Sequence, residues 1–209
     1  MKTNTGLVEY CKAQLGKPYW YGSSGEQATL ELYNRLAQQT HTRKQIIQFS
    51  QLSYQKQFGQ KVHDCSGLIK GYLWCKTADA FFNHKNYDAV IDGGITYDKC
   101  TEKGNIETMP EIKGLLVFKS GHVGVYIGNG EVIEAKGHAY GVVKTRFKDG
   151  KWIKWGKCKF ITYEEEAMTK EEKLKLIQDK VGLDDNTMQY LQFYRFGDAL
   201  IDKLANALK

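Results

Sequence analysis

Apolar and polar positions alternate with two different periods along this chain. Up to about residue 110 the spacing is helical where it is regular at all. Thr5 to Leu15 predicts a short helix that Gly16 and Pro18 end. Lys17-Pro18-Tyr19-Trp20-Tyr21-Gly22-Ser23-Ser24-Gly25 reads as an aromatic and glycine-rich loop. The stretch from Ala28 to about Phe58 is polar and glutamine-rich, with Leu30, Tyr33, Leu36, Ile46, Ile47, Phe49 and Leu52 at helix-like intervals, which predicts one or two helices. A further helix is expected from Cys65 to about Ala78, followed by a loop-rich region through Asp92-Gly93-Gly94 to Pro110.

From Gly114 onwards short apolar runs take over. Leu115–Phe118, Val123–Ile127, Glu131–Ala135, Val142–Thr145 and Lys157–Ile161 read as five strands. Asn129-Gly130, between the second and third, is a two-residue hairpin signal because both positions tolerate positive φ. Closely spaced hairpins imply an antiparallel sheet, and helices followed by a sheet give an α+β fold. Past Tyr163 the pattern turns helical again. Thr169-Lys170-Glu171-Glu172 is a capping box opening a helix to Val181, with Gly182 as its stop, and a second helix is expected from Asp185 or Asn186 to Leu208. Residues 164–209 therefore read as a helical hairpin appended to a body of residues 1–163. It is too small to bury much surface alone, so it should pack on the body or on another chain, and self-association through it is one expectation.

Composition adds limits. The chain has 209 residues, 42% of them hydrophobic and 26% charged, which suits a globule with a core. No apolar run approaches the roughly 20 residues of a membrane span. Met1-Lys2-Thr3-Asn4-Thr5-Gly6-Leu7 lacks the apolar region of a secretory signal. Net charge is +6, unevenly distributed: residues 164–209 hold 7 basic and 10 acidic side chains, and the remaining body 23 and 14. A basic body favours a polyanionic partner, nucleic acid or an acidic cell-wall polymer among them, although a solvated lysine-rich surface reads the same way. The five cysteines are odd in number, widely spaced and without a Cys-x-x-Cys pair, so neither a zinc site nor a disulfide framework is expected; free thiols in a reducing compartment fit best.

One cysteine stands apart. Asp64-Cys65-Ser66-Gly67 runs straight into the apolar segment Leu68-Ile69-Lys70-Gly71-Tyr72-Leu73-Trp74. A thiol in the first turn of a helix sits beside unpaired N–H groups at the positive end of the dipole, which favours the nucleophilic thiolate. Downstream, Gly121-His122-Val123-Gly124 places a histidine at the start of a strand. Nucleophile first and base second, on a helix and a sheet, is a cysteine-hydrolase layout. The group that orients the base belongs on the neighbouring strand. The Asn129-Gly130 turn sets His122 opposite a residue near 136 or 137, with Glu134 and His138 both in diagonal reach.

These motifs resemble those of the NlpC-type cell-wall cysteine peptidases, papain-related enzymes of bacteria and phages. The resemblance rests on Asp64-Cys65-Ser66-Gly67, then Leu115-Val117-Phe118, then His122-Val123-Gly124-Val125-Tyr126-Ile127-Gly128, with Gly16–Gly22 as a weaker match, and covers roughly residues 5–163. It implies a papain-like core of N-terminal helices packed on a five- to six-stranded antiparallel sheet. It implies Cys65 as nucleophile, His122 as base and Glu134 as the third residue, with His138 the alternative. Tyr19 and the Cys65 backbone N–H become oxyanion donors, and Asp64 and Ser66 the residues flanking the nucleophile. The expected reaction is cleavage of an amide or isopeptide bond in peptidoglycan stem peptides through an acyl-enzyme. An endopeptidase is the first reading; an N-acetylmuramoyl-amide hydrolase, an acyltransferase on the same fold or a non-catalytic wall-binding module are the alternatives. No cofactor, metal or nucleic-acid partner is implied. Without a visible signal peptide, the expectation is cytoplasmic accumulation with action on the wall, as for a phage lysin, or export by another route. Two departures stand out: histidine, asparagine or glutamine is usual where Glu134 stands, and residues 23–63 form a helical insertion where a short connection is usual.

Overall fold

The computed structural model describes residues 1–164 and 169–208. It divides into two compact units, Met1–Glu164 and Glu165–Lys209.

The first unit opens with helix α1 (Asn4–Ala13), capped by the Thr3 hydroxyl, which accepts from the Gly6 N–H. Strand β1 (Ser24–Gln27) follows and pairs antiparallel with β2 (Lys61–His63). Between them the chain makes three short helices, α2 (Leu30–Gln38), α3 (Arg43–Ile46) and α4 (Gln51–Gln55), where the sequence predicted one or two. The breaks are local: Gln39 and Ser50 take extended backbone angles that a continuous helix excludes. This segment closes around its own core of Trp20, Leu32, Leu36, Ile46, Tyr54 and Val62.

Helix α5 (Cys65–Trp74) is shorter than expected because Cys75 is extended, with ψ 144°. A single-turn helix α6 (Ala89–Asp92) lies in the loop-rich region. The main sheet comprises β3 (Lys103–Asn105), β4 (Leu116–Lys119), β5 (His122–Gly128), β6 (Glu131–Ala135), β7 (Val142–Arg146) and β8 (Lys154–Gly156). Its order is β3-β8-β4-β5-β6-β7, antiparallel throughout. Two strand expectations change. The fifth lies at Lys154–Gly156 rather than 157–161, because Trp155 turns inward opposite Val117 while Ile161 closes a turn onto the Cys158 carbonyl. The sixth, β3, is polar (Lys-Gly-Asn) and carries no apolar pattern to announce it.

Both faces of the sheet are covered. Val123, Val125 and Ile133 meet Leu7, Val8, Leu68 and Ile69 of α1 and α5 on one side. Leu115, Val117, Tyr126, Val132, Trp152 and Trp155 form a second layer on the other. Burial of each large apolar side chain contributes about 1.5–3 kcal/mol, so this two-sided packing fixes where β5 and β6 present their polar residues.

In the second unit α7 (Lys170–Val181) has the expected capping box, and Gly182 ends it at φ 72°. The expected long second helix is instead two, α8 (Asp185–Phe193) and α9 (Gly197–Ala207). Tyr194 is extended, and a Cβ on Gly197 would come within 2.3 Å of the Leu191 carbonyl oxygen. Leu174, Ile177, Met188, Ile201 and Ala205 form this unit's core.

Candidate active site

Asp64 organises the helix that Cys65 opens. It is the N-cap of α5: one carboxylate oxygen accepts from the Gly67 N–H at 2.6 Å and the Ser66 hydroxyl at 3.1 Å, while the other accepts from the Gly22 N–H at 2.9 Å. One side chain thus caps the helix and pins the aromatic loop against it. The Asp64 N–H in turn donates to the Ser23 carbonyl at 2.9 Å. Gly67 is required by this approach, since a Cβ there would lie 1.8 Å from the Ser23 oxygen. Next to the cap, His63 is fully buried, contacting Gln14 Oε1 at 3.2 Å, and burial with the nearby Lys61 charge depresses its pKa to about 3.

Cys65 is partly exposed, whereas the other four cysteines are buried. Its thiol is pushed up to about 11 by burial first and by the Asp64 charge second; hydrogen bonds from the Val123, Ser66 and Cys65 N–H groups act in the opposite direction without winning. This corrects the expectation of a preformed thiolate: the helix start alone would favour the anion, but the apolar packing and the capping carboxylate outweigh it. The Val123 amide that reaches the sulfur belongs to the residue after His122, so the helix start meets the beginning of β5.

Helical and sheet residues then converge. In the β5–β6 ladder Val125 lies opposite Ile133, and a bulge between Tyr126 and Gly128 absorbs the turn at Asn129 (φ 53°) and Gly130 (φ 70°). This register sets Glu134 diagonal to His122, as the turn predicted. His122 Nε2 and Glu134 Oε2 are 2.7 Å apart, which leaves Nδ1 without that partner. Glu134 is 1% exposed and also accepts from the Thr145 hydroxyl at 2.8 Å, with Lys119 Nζ at 3.9 Å. Burial alone would raise its pKa, but the His122 and Thr145 hydrogen bonds with the His122 and Lys119 charges bring it below the ordinary carboxylate value.

Tyr19 bridges to His63 and lies close enough to Asp64 and Cys65 for both to act on it; burial first, then those neighbours, drive its phenol far above the usual value, so it stays a donor. His138 is placed elsewhere. Its ring stacks on Phe49 (4.2 Å between centroids) and tilts against Tyr54, with Nε2 3.1 Å from the Ser53 hydroxyl. It holds the 23–63 segment to the loop after β6, and it is Glu134 that reaches His122.

Three neighbours escaped the sequence reading. Thr145 needed the β6–β7 register. Trp152, which stacks parallel to His122 at 5.8 Å, occupies space that Gly124 leaves open: a Cβ there would lie 2.9 Å from its ring. Lys119 Nζ sits over the same indole at 4.3 Å. A cavity of about 560 Å³ is lined by Tyr21, Gly22 and Asp64, by Arg35 and His41 of the 23–63 segment, and by Trp74 among others. Among the described residues no cluster of three or more His, Cys, Asp or Glu offers a metal site, and no helix is long and apolar enough to cross a membrane.

Comparison with known proteins gives a match of residues 16–159 to the model of the NlpC/P60 family. No curated protein matches. Among solved structures, NlpC2 from Trichomonas vaginalis is 18% identical with a TM-score of 0.41, over 75% of this chain and 46% of that one. The P60 domain of an antigen from M. avium subspecies paratuberculosis is 17% identical with a TM-score of 0.42, over 77% and 96%. The peptidoglycan hydrolase RipB from Mycobacterium tuberculosis is 18% identical with a TM-score of 0.40, over 77% and 67%. The chain thus spans less than half the length of the first of these.

Proposed function

The chain belongs to the NlpC/P60 family, and from that premise we propose that it is a papain-like cysteine hydrolase of the cell wall that cuts an amide bond of peptidoglycan stem peptides. The observation that carries this reading is the 2.7 Å His122–Glu134 hydrogen bond on β5 and β6, at the strand end whose Val123 amide reaches the Cys65 sulfur.

The chemistry follows from the proton positions. Cys65 rests as a thiol. As its sulfur attacks the scissile carbonyl, His122 Nδ1 takes the proton, and ionised Glu134 stabilises the imidazolium. The carbonyl oxygen becomes an oxyanion that the Cys65 N–H and the Tyr19 hydroxyl receive as donors. Collapse breaks the C–N bond; His122 returns the proton to the leaving amine, and a thioester remains. Water then adds to the thioester with His122 as base, releasing the acid and the thiol. The cavity beside Asp64 is the groove through which the 23–63 segment selects the peptide.

Purified cell walls incubated with the wild type should lose turbidity, and Cys65→Ala should abolish the loss. Equal clearing by both proteins would reject the proposal. Mass spectrometry of the soluble products identifies the bond: fragments cut within the stem mark an endopeptidase, and intact stems freed from glycan mark an amidase.

A further inference from the structure

A second cavity, of about 490 Å³, opens on the other side of Glu134. Its lining is unusually cationic: Lys119, Lys136, Lys144, Arg146 and Lys151 face it against only Glu134 and Asp149 as carboxylates. The two carboxylates do not neutralise it. Glu134 is engaged by His122 and stands 3.9 Å from Lys119, which also donates to the Gly150 carbonyl, and Asp149 pairs with Arg146 at 2.6 Å, so five cations still outnumber two carboxylates. Lys144 finds a partner outside the lining, Glu131 at 2.8 Å. Lys136 and Lys151 form no ion pair among the described residues; Lys136 Nζ lies 5.0 Å over the Tyr140 ring.

Two further features belong to the same place. Lys151 holds φ 51°, a left-handed conformation in which glycine would be less strained, so a lysine side chain is kept here against a backbone penalty. Trp152 itself does not line the cavity; its indole N–H, buried without a hydrogen-bond partner, lies against Gly150 of the lining, where a Cβ would come within 2.0 Å of Nε1. Surplus positive charge around one concavity, with two of its lysines outside any ion pair among the described residues, is the attribute of an anion site.

We propose that this cavity binds an oxyanion, carboxylate or phosphate, carried by the wall polymer whose peptide is being cut. The inference rests on the reading of the site given above, since Glu134 forms a wall common to the cavity and the candidate active site. That shared wall favours a group on the substrate itself. The cavity's size suits one or two oxyanionic groups rather than a groove tracking a nucleic-acid backbone.

The test uses the full chain, with Lys136→Ala and Lys151→Gly combined. Lys136 is exposed, and Lys151→Gly relieves the positive φ, so the variant should fold and melt no lower than the wild type. Titration calorimetry with tripolyphosphate as probe should show saturable one-to-one binding to the wild type, weakened about tenfold in the variant, as loss of two exposed charge contacts implies. Kinetics on a synthetic stem peptide and on its carboxamide form then separate the sources. A KM raised about tenfold for the carboxylate peptide alone assigns the cavity to the peptide; unchanged kinetics on both, with weakened tripolyphosphate binding, assigns it to a wall phosphate. Unchanged binding and unchanged kinetics overturn the proposal. If the wild type cuts no peptide, the hydrolase reading fails, and the titration still decides whether the cavity takes an anion.

Discussion

The helical and the sheet sides of the candidate active site treat their ionisable groups in opposite ways. Cys65, on α5, is surrounded by apolar packing and a capping carboxylate, and its thiol is pushed up to about 11. Glu134, on β6, is still more deeply buried, yet hydrogen bonds from His122 and Thr145 and the nearby Lys119 charge carry its carboxyl below the ordinary value. Burial alone therefore does not set ionisation; the donors and charges that accompany it do. On the proposed reading, the consequence is a resting site with a neutral nucleophile and a charged orienter, in which the proton moves during attack rather than before it.

The largest test of this contrast removes the charged side. Glu134→Ala should lower kcat about a hundredfold, within the range of general acid–base contributions, while Glu134→Gln, which keeps one hydrogen bond to His122 but loses the charge, should lose about tenfold. Wild-type turnover in Glu134→Ala would mean that the 2.7 Å contact with His122 has no catalytic role. The neutral side is tested by alkylation of the free protein with iodoacetamide. A thiol raised to about 11 should react about tenfold faster for each pH unit gained between 7 and 9. A rate flat across that interval would reveal a standing thiolate and break the comparison.

The same contrast separates what could be read in the sequence from what could not. The helix behind Cys65 and the diagonal from His122 to Glu134 were legible because they depend on neighbours in sequence and on one tight turn, whereas the Asp64 cap was not read. The state of Cys65 was not, since the desolvation that raises its pKa comes from a core assembled by α1, α5 and the sheet. Thr145 and Trp152 were missed for a related reason: each reaches the site through a pairing or a packing gap, and no local pattern marks either. The second helix of the C-terminal unit was overextended because its apolar spacing continues through Tyr194, where the backbone does not.

His138 offers a smaller test. It was the alternative third residue, and the structure gives it Phe49, Tyr54 and Ser53 as neighbours. His138→Ala should leave kcat within about threefold of the wild type and remove ring packing, worth about 1 kcal/mol beyond area burial. For a chain of this size that is a fall in Tm of about 3 °C. A hundredfold loss of activity with unchanged Tm would instead transfer the orienting role to His138.

The smallest expected effect concerns stability rather than rate, and its sign follows from the depressed carboxyl of Glu134. A group whose folded pKa lies below its ordinary value of 4.5 binds its proton more readily when unfolded. Its ionised contacts with His122, Thr145 and Lys119 therefore contribute fully above that ordinary value and are lost as pH falls through the lower, folded one. Glu134→Gln cannot titrate there. The difference in Tm between wild type and Glu134→Gln should hold roughly constant above the ordinary carboxylate range and move against the wild type as pH falls below it, measured by differential scanning calorimetry. A difference that instead moved in favour of the wild type on acidification would require a raised carboxyl, as burial without partners produces, and would place Glu134 in the same regime as Cys65.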